Sequence, residues 1–228
     1  MLYLHRQNGC IIYVGCLKMK TADRLPISYS DRIKEILNAS WRVLKTRFIE
    51  GRHEISKEAP FQHYFAHIIS TVGETYCTRR DDIFLVDLET KITGVKGKTK
   101  YLDITCSFPN ENVLCAIELK FKTAKQGAQD HGRIDAFVDI EALEIACKRG
   151  YSLGRFYMIT DSTPYVNRSK KGVGTVFTTY NGAVTPAKHQ FHCPKSKGRE
   201  DVKVFLNNSY TFEWEQIDDW YFLELEIT

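Results

Sequence analysis

No run in this chain of 228 residues comes near the roughly 18 consecutive apolar residues that a membrane-crossing helix needs. Cys-x-x-Cys pairs are missing as well, and the cysteines are odd in number: Cys10, Cys16, Cys77, Cys106, Cys115, Cys147 and Cys193. Several lie in apolar runs, such as Val113-Leu114-Cys115-Ala116-Ile117. Buried free thiols in a reducing compartment are therefore expected, not a disulfide framework. The first residues hold a short mixed run from Cys10 to Leu17, without the apolar core and cleavage site of a secretory signal. The expectation is a cytoplasmic, intracellular protein, with Met19 open as an alternative start and the order of residues 1–18 left open. Neither sign of charge dominates. A net charge of +4 permits a polyanionic partner without demanding one.

Two further motifs fall short of their chemistry. Gly94-Val95-Lys96-Gly97-Lys98-Thr99 has too few residues between its glycines for a Walker A loop and leads into a strand, not a helix. It reads as a hairpin turn, and no nucleotide cofactor is expected. His189, His192 and Cys193 are close in sequence, but no second ligand pair with zinc spacing accompanies them, so a loop is expected there.

What is present fits a folded domain: 43% hydrophobic and 26% charged residues, with no internal repeat. Asp31 to Glu50 has helical periodicity in Ile33, Ile36, Leu37, Val43, Leu44 and Phe48, with Ser30 or Asp31 as cap. Ser56 is placed to cap a second helix carrying Phe61, Phe65, Ile68, Ile69 and Val72, with Pro60 in its first turn. Three strands follow, Ile83 to Leu88, Tyr101 to Phe108 and Val113 to Phe121, joined by turns. A helix from Arg133 to Arg149, ended by Gly150, then leads to a fourth strand, Arg155 to Thr160. A strand–helix–strand crossover places its strands parallel, whereas the hairpins are antiparallel. The fold class expected is α/β (α+β-like) with a mixed sheet. It forms a single domain over residues 1–228, with its core at about 56–161 and residues 162–228 as a β-rich extension. Within that extension Val173 to Tyr180, Val202 to Leu206 and Trp214 to Ile227 are possible strands. Phe212 to Ile227, aromatic and acidic, reads as core or subunit interface.

The chemistry concentrates on the second and third strands. Alternation along a strand puts Glu118 and Lys120 on one face and Leu119 on the other. The turn at Pro109 to Asn112 brings the Asp103 strand alongside. Two carboxylates with an ammonium beside them suit a hard divalent cation and the hydrolysis of a phosphate ester. Lys120 would orient water or stabilise developing charge. Glu-x-Lys alone arises by chance about once in a chain of this size. Glu89-Thr90-Lys91 and Asp201-Val202-Lys203 share the spacing. Only Glu118-Leu119-Lys120 lies in an apolar strand, follows a strand-borne aspartate and precedes a crossover helix. Glu89 reads as a strand end.

The order helix–strand–strand–strand–helix–strand, with Asp on the second strand and Glu-x-Lys on the third, resembles the PD-(D/E)xK nuclease superfamily over roughly Ser56 to Thr160. Arg133 to Tyr165 is similar to type II restriction-endonuclease-like proteins, in which Asp-Ile-x-x-Leu-Glu (Asp139, Ile140, Leu143, Glu144) leads to a strand ending in Thr-Asp (Thr160, Asp161). Leu102, not proline, precedes Asp103, a departure of little weight because the family's proline is often absent. The resemblance implies that Asp103 and Glu118, with Leu119, hold Mg²⁺ (Mn²⁺ as substitute) and that Lys120 assists water. It also implies a helix acid, for which Glu58, one turn from Gln62, is the candidate and Glu74 the rival. The implied activity is Mg²⁺-dependent endonucleolytic cleavage of double-stranded DNA by a homodimer. A repair, recombination or junction-resolving nuclease on the same fold is the near alternative, and a non-catalytic DNA-binding protein the distant one. The basic loops Lys96 to Lys100, Lys120 to Lys125, Arg168 to Lys171 and Lys195 to Arg199 are candidate phosphate contacts. In the loop after the third strand, Lys125, Gln126, Gln129, His131 and Arg133 are candidate DNA-binding residues.

Overall fold

The computed structural model describes residues 24–227. The expectations about Met19, Cys10 and Cys16 lie outside those residues. Helix α1 (Tyr29–Ile49) and helix α2 (Glu58–Glu74) precede strands β1 (Leu85–Val95), β2 (Lys98–Phe108) and β3 (Val113–Lys122). Helix α3 (Gln129–Cys147) and strand β4 (Leu153–Thr160) complete the expected order. A short helix α4 (Thr163–Val166) and small strands β5 (Ala183–Val184), β6 (His189–His192), β7 (Lys203–Leu206) and β8 (Thr211–Phe212) follow. Strands β9 (Trp214–Ile217) and β10 (Trp220–Ile227) close the chain.

The main sheet has six strands in the order β1-β2-β3-β4-β10-β9. Only β3 and β4 run parallel, as the α3 crossover requires; every other pairing is antiparallel. The protein is thus a mixed α/β fold, with four helices among the described residues. The carboxy-terminal strand β10 is a member of this sheet, hydrogen-bonded to β4 along seven residue pairs from Tyr221↔Thr160 to Ile227↔Gly154.

Alternation on β3 divides the core in two. Cys115, Ile117, Leu119 and Phe121 pack towards α1 and α2, around Trp41, Phe61 and Phe65. Ala116 faces α3, with Ile134, Phe137, Ile140 and Leu143, and beyond them the carboxy-terminal Phe191, Phe212 and Leu223. The chain entering β1 packs closely on α2: a Cβ on Gly73 would lie 2.1 Å from the Phe84 ring.

Several local details depart from expectation. Ser28, not Ser30 or Asp31, caps α1, its hydroxyl accepting from the Asp31 N–H at 3.4 Å. Lys57 in extended conformation precedes α2, and Ser56 makes no cap. β1 runs seven residues past Leu88, because Lys96 and Gly97, both at positive φ, make a two-residue turn that pairs Val95 with Lys98. Val173 to Tyr180 is not a strand. Its first residues form a 3₁₀ turn after Gly172 at φ 76°, and Gly174 lies against Ser169 and Arg133, where a Cβ has no room. The His189 to His192 segment is a strand, β6, paired with β7, and His192 Nε2 contacts the Glu200 carbonyl.

The entry to α1 is pinned by one buried carboxylate. Asp82 accepts from the Tyr29 hydroxyl at 2.5 Å and from the Thr78 and Arg79 N–H groups at 2.7 and 2.8 Å, with Arg32 at 3.3 Å. Burial alone would push this carboxyl up, but these donors outweigh it and bring it down to about 2. A depressed acid contributes stability above its ordinary pKa of 3.8 that is lost as pH falls towards 2. Asp82→Asn is expected to lower the melting temperature by several degrees at pH 7. In thermal unfolding followed by circular dichroism, that difference should narrow below about pH 4.

Candidate active site

β2 and β3 stay paired from Phe108↔Val113 to Ile104↔Ile117 and then part. At that level the β1–β2 hairpin turns over. Ile104 and Cys106 belong to the layer facing α1 and α2, yet Leu102 belongs to the layer facing α3, although residues two apart on a regular strand share a face. On β1 the same reversal separates Val86 from Ile92, and between them Glu89 has a left-handed φ of 51°. Glu89 is therefore a kink in mid-strand and not the strand end expected.

Two backbone groups left open by the parting are satisfied by side chains. The Leu119 N–H donates to Asp103 Oδ2 at 2.6 Å. Gln62 on α2 donates through Nε2 to the Asp103 carbonyl at 2.6 Å and to Glu89 Oε1 at 2.9 Å. Asp103 is thus held from two sides at the mouth of the split. Burial raises its carboxyl above the ordinary range, opposed by Lys120 and the Leu119 N–H.

Glu118 and Lys120 project from β3 towards α3, as alternation predicts, and both are nearly inaccessible, at 2% and 9% exposure. Such charges require buried partners. Asp139, on the sheet-facing side of α3, is the partner of Lys120, and Lys100 is that of Glu118. Asp139 Oδ2 lies 2.5 Å from Lys120 Nζ, and Asp139 Oδ1 pairs with Lys100 Nζ. Lys100 Nζ lies 3.0 Å from Glu118 Oε1 as well. Lys120 also donates to the Leu119 carbonyl at 3.0 Å. With Asp103 beside it, the cluster brings three carboxyl groups and two ammonium groups together. Burial pushes the Glu118 carboxyl well up, and Asp139 adds to the effect against the pull of Lys100. Burial opposes the charge on Lys120, but Asp139, Glu58 and Glu118 together raise its pKa, so it is a firmly protonated donor. Asp139 stays ionised, because Lys120 and Lys100 outweigh its burial.

Glu58, at the start of α2, pairs with Lys122 Nζ at 3.0 Å beside this cluster. Glu74 lies at the opposite end of α2, exposed. The helix acid near the site is therefore Glu58. The Leu119 side chain is buried on the other face, so only its carbonyl could meet an ion.

The loop after β3 is less uniform than expected. Lys125 and Gln126 are exposed, with Gln126 Oε1 capping the Thr123 N–H at 3.0 Å. Gln129 is half-buried, and His131 Nε2 contacts the Lys197 carbonyl at 2.8 Å. Arg133 cannot serve as a surface contact. It is 4% exposed, and its guanidinium bonds the Pro164 carbonyl and reaches Thr179 Oγ1 at 3.4 Å. The other residues quoted from this stretch tie the fold together. Glu144 accepts from the Asn207 and Asn208 N–H groups and the Tyr210 hydroxyl. Asp161 accepts from the Ala124 N–H at 2.6 Å.

Among the described residues, no three histidine, cysteine, aspartate or glutamate side chains are grouped to hold a metal ion. The donors here are the carboxylates of Asp103 and Glu118. They suit a cation that keeps several waters, such as Mg²⁺. Glu118 Oε1 is fully buried and meets only the Lys100 ammonium, at 3.0 Å and without an aligned hydrogen bond, so the ammonium stands where a cation would bind. No protein-family model matches the chain, and no curated protein or solved structure is detectably similar to it. Among the described residues, no helix is long and apolar enough to cross a membrane.

The charge cluster makes two substitutions diverge. Asp139→Ala strands the buried Lys120 ammonium and should cost about 3–5 kcal/mol of stability. Glu118→Gln removes the carboxylate that burial disfavours most and leaves Asp139 to hold Lys100. It should raise the melting temperature of the metal-free protein. Chemical denaturation of both variants checks the contrast, and equal losses would contradict this division of roles.

Proposed function

We propose that this protein is a metal-dependent endonuclease of the PD-(D/E)xK kind, hydrolysing phosphodiester bonds of double-stranded DNA, and that it works as a homodimer. The observation that carries this reading is the arrangement around the β2–β3 split. Asp103 is fixed at the point where the strands part. Glu118 and Lys120 share the face next to it, and Lys120 is locked in place by Asp139. Buried charges held in a fixed constellation, against their own desolvation cost, are characteristic of reactive sites.

In this reading Asp103 and Glu118 would hold Mg²⁺, with Mn²⁺ as substitute, together with the Leu119 carbonyl. When bound, the cation neutralises charge on the scissile phosphate and acidifies water. The chain's own residues supply the positioning. Lys120, protonated and aimed by Asp139, donates to the phosphate oxygens or orients the attacking water. Glu58 holds Lys122 beside the cluster. An open groove of about 650 Å³ beside the cluster is lined by Lys96, Lys100, Arg199 and Lys203 together with Glu141 and Asp201, with Lys96 paired to Glu141 and Arg199 to Asp135. Lys96 and Arg199 belong to two of the four basic loops, and they replace Arg133 as proposed contacts for the DNA backbone. Two protomers acting together account for cleavage of both strands.

The test is digestion of supercoiled plasmid and phage DNA with Mg²⁺, alongside branched DNA. Cleavage should vanish with EDTA and fall by at least 100-fold in Asp103→Ala and Lys120→Ala, the scale of losing a transition-state contact. Discrete fragments from linear DNA favour a restriction-type enzyme, and preference for branched substrates a junction-resolving one. DNA binding by folded protein without cleavage of any substrate would overturn the nuclease reading in favour of a binding module.

A further inference from the structure

We propose that Lys100 is a built-in counter-ion for the site, and that a divalent cation binds by displacing it from Glu118. This rests on the reading of Asp103 and Glu118 as metal ligands.

Lys100 comes from β2, three residues before Asp103, and reaches the cluster only because β2 turns over at Asp103. Its ammonium lies 3.0 Å from Glu118 Oε1 and also pairs with Asp139. Glu118 is the carboxylate a metal would need, so a positive charge already stands against a ligand oxygen. The charges point the same way. With Lys100 in place, three carboxylates face two ammonium groups. With Lys100 withdrawn and all three carboxyl groups ionised, as ligation of a metal requires, two negative charges are uncompensated, matching one divalent cation. Two cations a few ångströms apart in a poorly solvated space repel strongly, so joint occupancy is disfavoured.

Lys100 also has somewhere to go. Its side chain is 20% exposed, against 11% for Lys120 and 3% for Glu118. It forms part of the wall of the open 650 Å³ groove, beside Thr99 and Val138. A flexible lysine stem can swing its ammonium from Glu118 into that groove, where water solvates it. Lys120 lacks this freedom, being more deeply buried on Asp139 and away from the groove wall. One lysine is therefore fixed and the other exchangeable. The exchange keeps Glu118 paired when no metal is bound and sets a threshold on metal affinity.

Mn²⁺ binding, followed by loss of the free-ion electron paramagnetic resonance signal, tests this without reference to cleavage. Lys100→Met should bind Mn²⁺ roughly tenfold more tightly than the wild type, since a nearby like charge is removed. Lys100→Arg should stay near the wild type. Binding that depends on Glu118, lost in Glu118→Gln, but is no tighter in Lys100→Met would overturn the role of Lys100 and leave the metal site standing. Binding indifferent to Glu118→Gln would overturn the metal site itself. The wild type gives a second measurement that needs no folded Lys100 variant. Amine labelling read by mass spectrometry should modify Lys100 several-fold faster with Mn²⁺ than without. An unchanged or slower rate would contradict displacement.

Discussion

The carboxylate of Asp139 is the constraint on which the site depends. β3 sends Glu118 and Lys120 into the layer beneath α3, where water cannot solvate them and where each alone would cost several kcal/mol. Asp139 pairs with both ammonium groups there, one on each oxygen. The helix thereby does more than cover the sheet: it fixes the Lys120 ammonium and draws Lys100 across from β2. The surrounding apolar contacts of Phe137, Ile140 and Leu143 hold that carboxylate at the depth where both lysines reach it.

A second feature places Asp103. A continuous β2–β3 ladder would use the backbone groups at this level. The parting after Ile104↔Ile117 frees them, and the Asp103 carboxylate and Gln62 take them up. The kink at Glu89, tied to the same Gln62, is the counterpart on the neighbouring strand. Such local disruption of a sheet is a means of re-aiming side chains near sites. Helix α2 thus contributes one glutamine that spans both kinked strands and one glutamate, Glu58, that meets Lys122.

Much of this was legible in the sequence. Period-two patterning on β3 gave the face of Glu118 and Lys120, and the helix and strand order followed from caps, turns and apolar spacing. Lys100 was not legible. Counting alternate residues back from Ile104 puts it on the wrong face, and nothing local announces the reversal at Asp103. Asp139, quoted above only as part of a motif, carries a further readable signal. It lies on the apolar stripe of α3, three residues after Ala136 and four before Leu143, where an acid needs a buried cation. Arg133 lies on that stripe too, four residues before Phe137, which is why it is buried and not a surface contact. Glu89 was discounted because its sequence looks like the approach to a turn, whereas the turn itself comes at Lys96–Gly97. The strand assignment from Val173 failed for a conformational reason: Gly172 and Gly174 permit a tight coil that apolar content alone does not reveal.

The central claim is that this buried cluster is a cation site with one fixed and one exchangeable lysine. The most direct measurement is a crystal structure of the protein grown with Mn²⁺, with anomalous scattering recorded at the manganese edge. A single peak between the Asp103 and Glu118 carboxylates is predicted, with Lys120 still on Asp139 and the Lys100 ammonium withdrawn from Glu118. A crystal with manganese bound elsewhere, or with none and Lys100 still against Glu118, would contradict it.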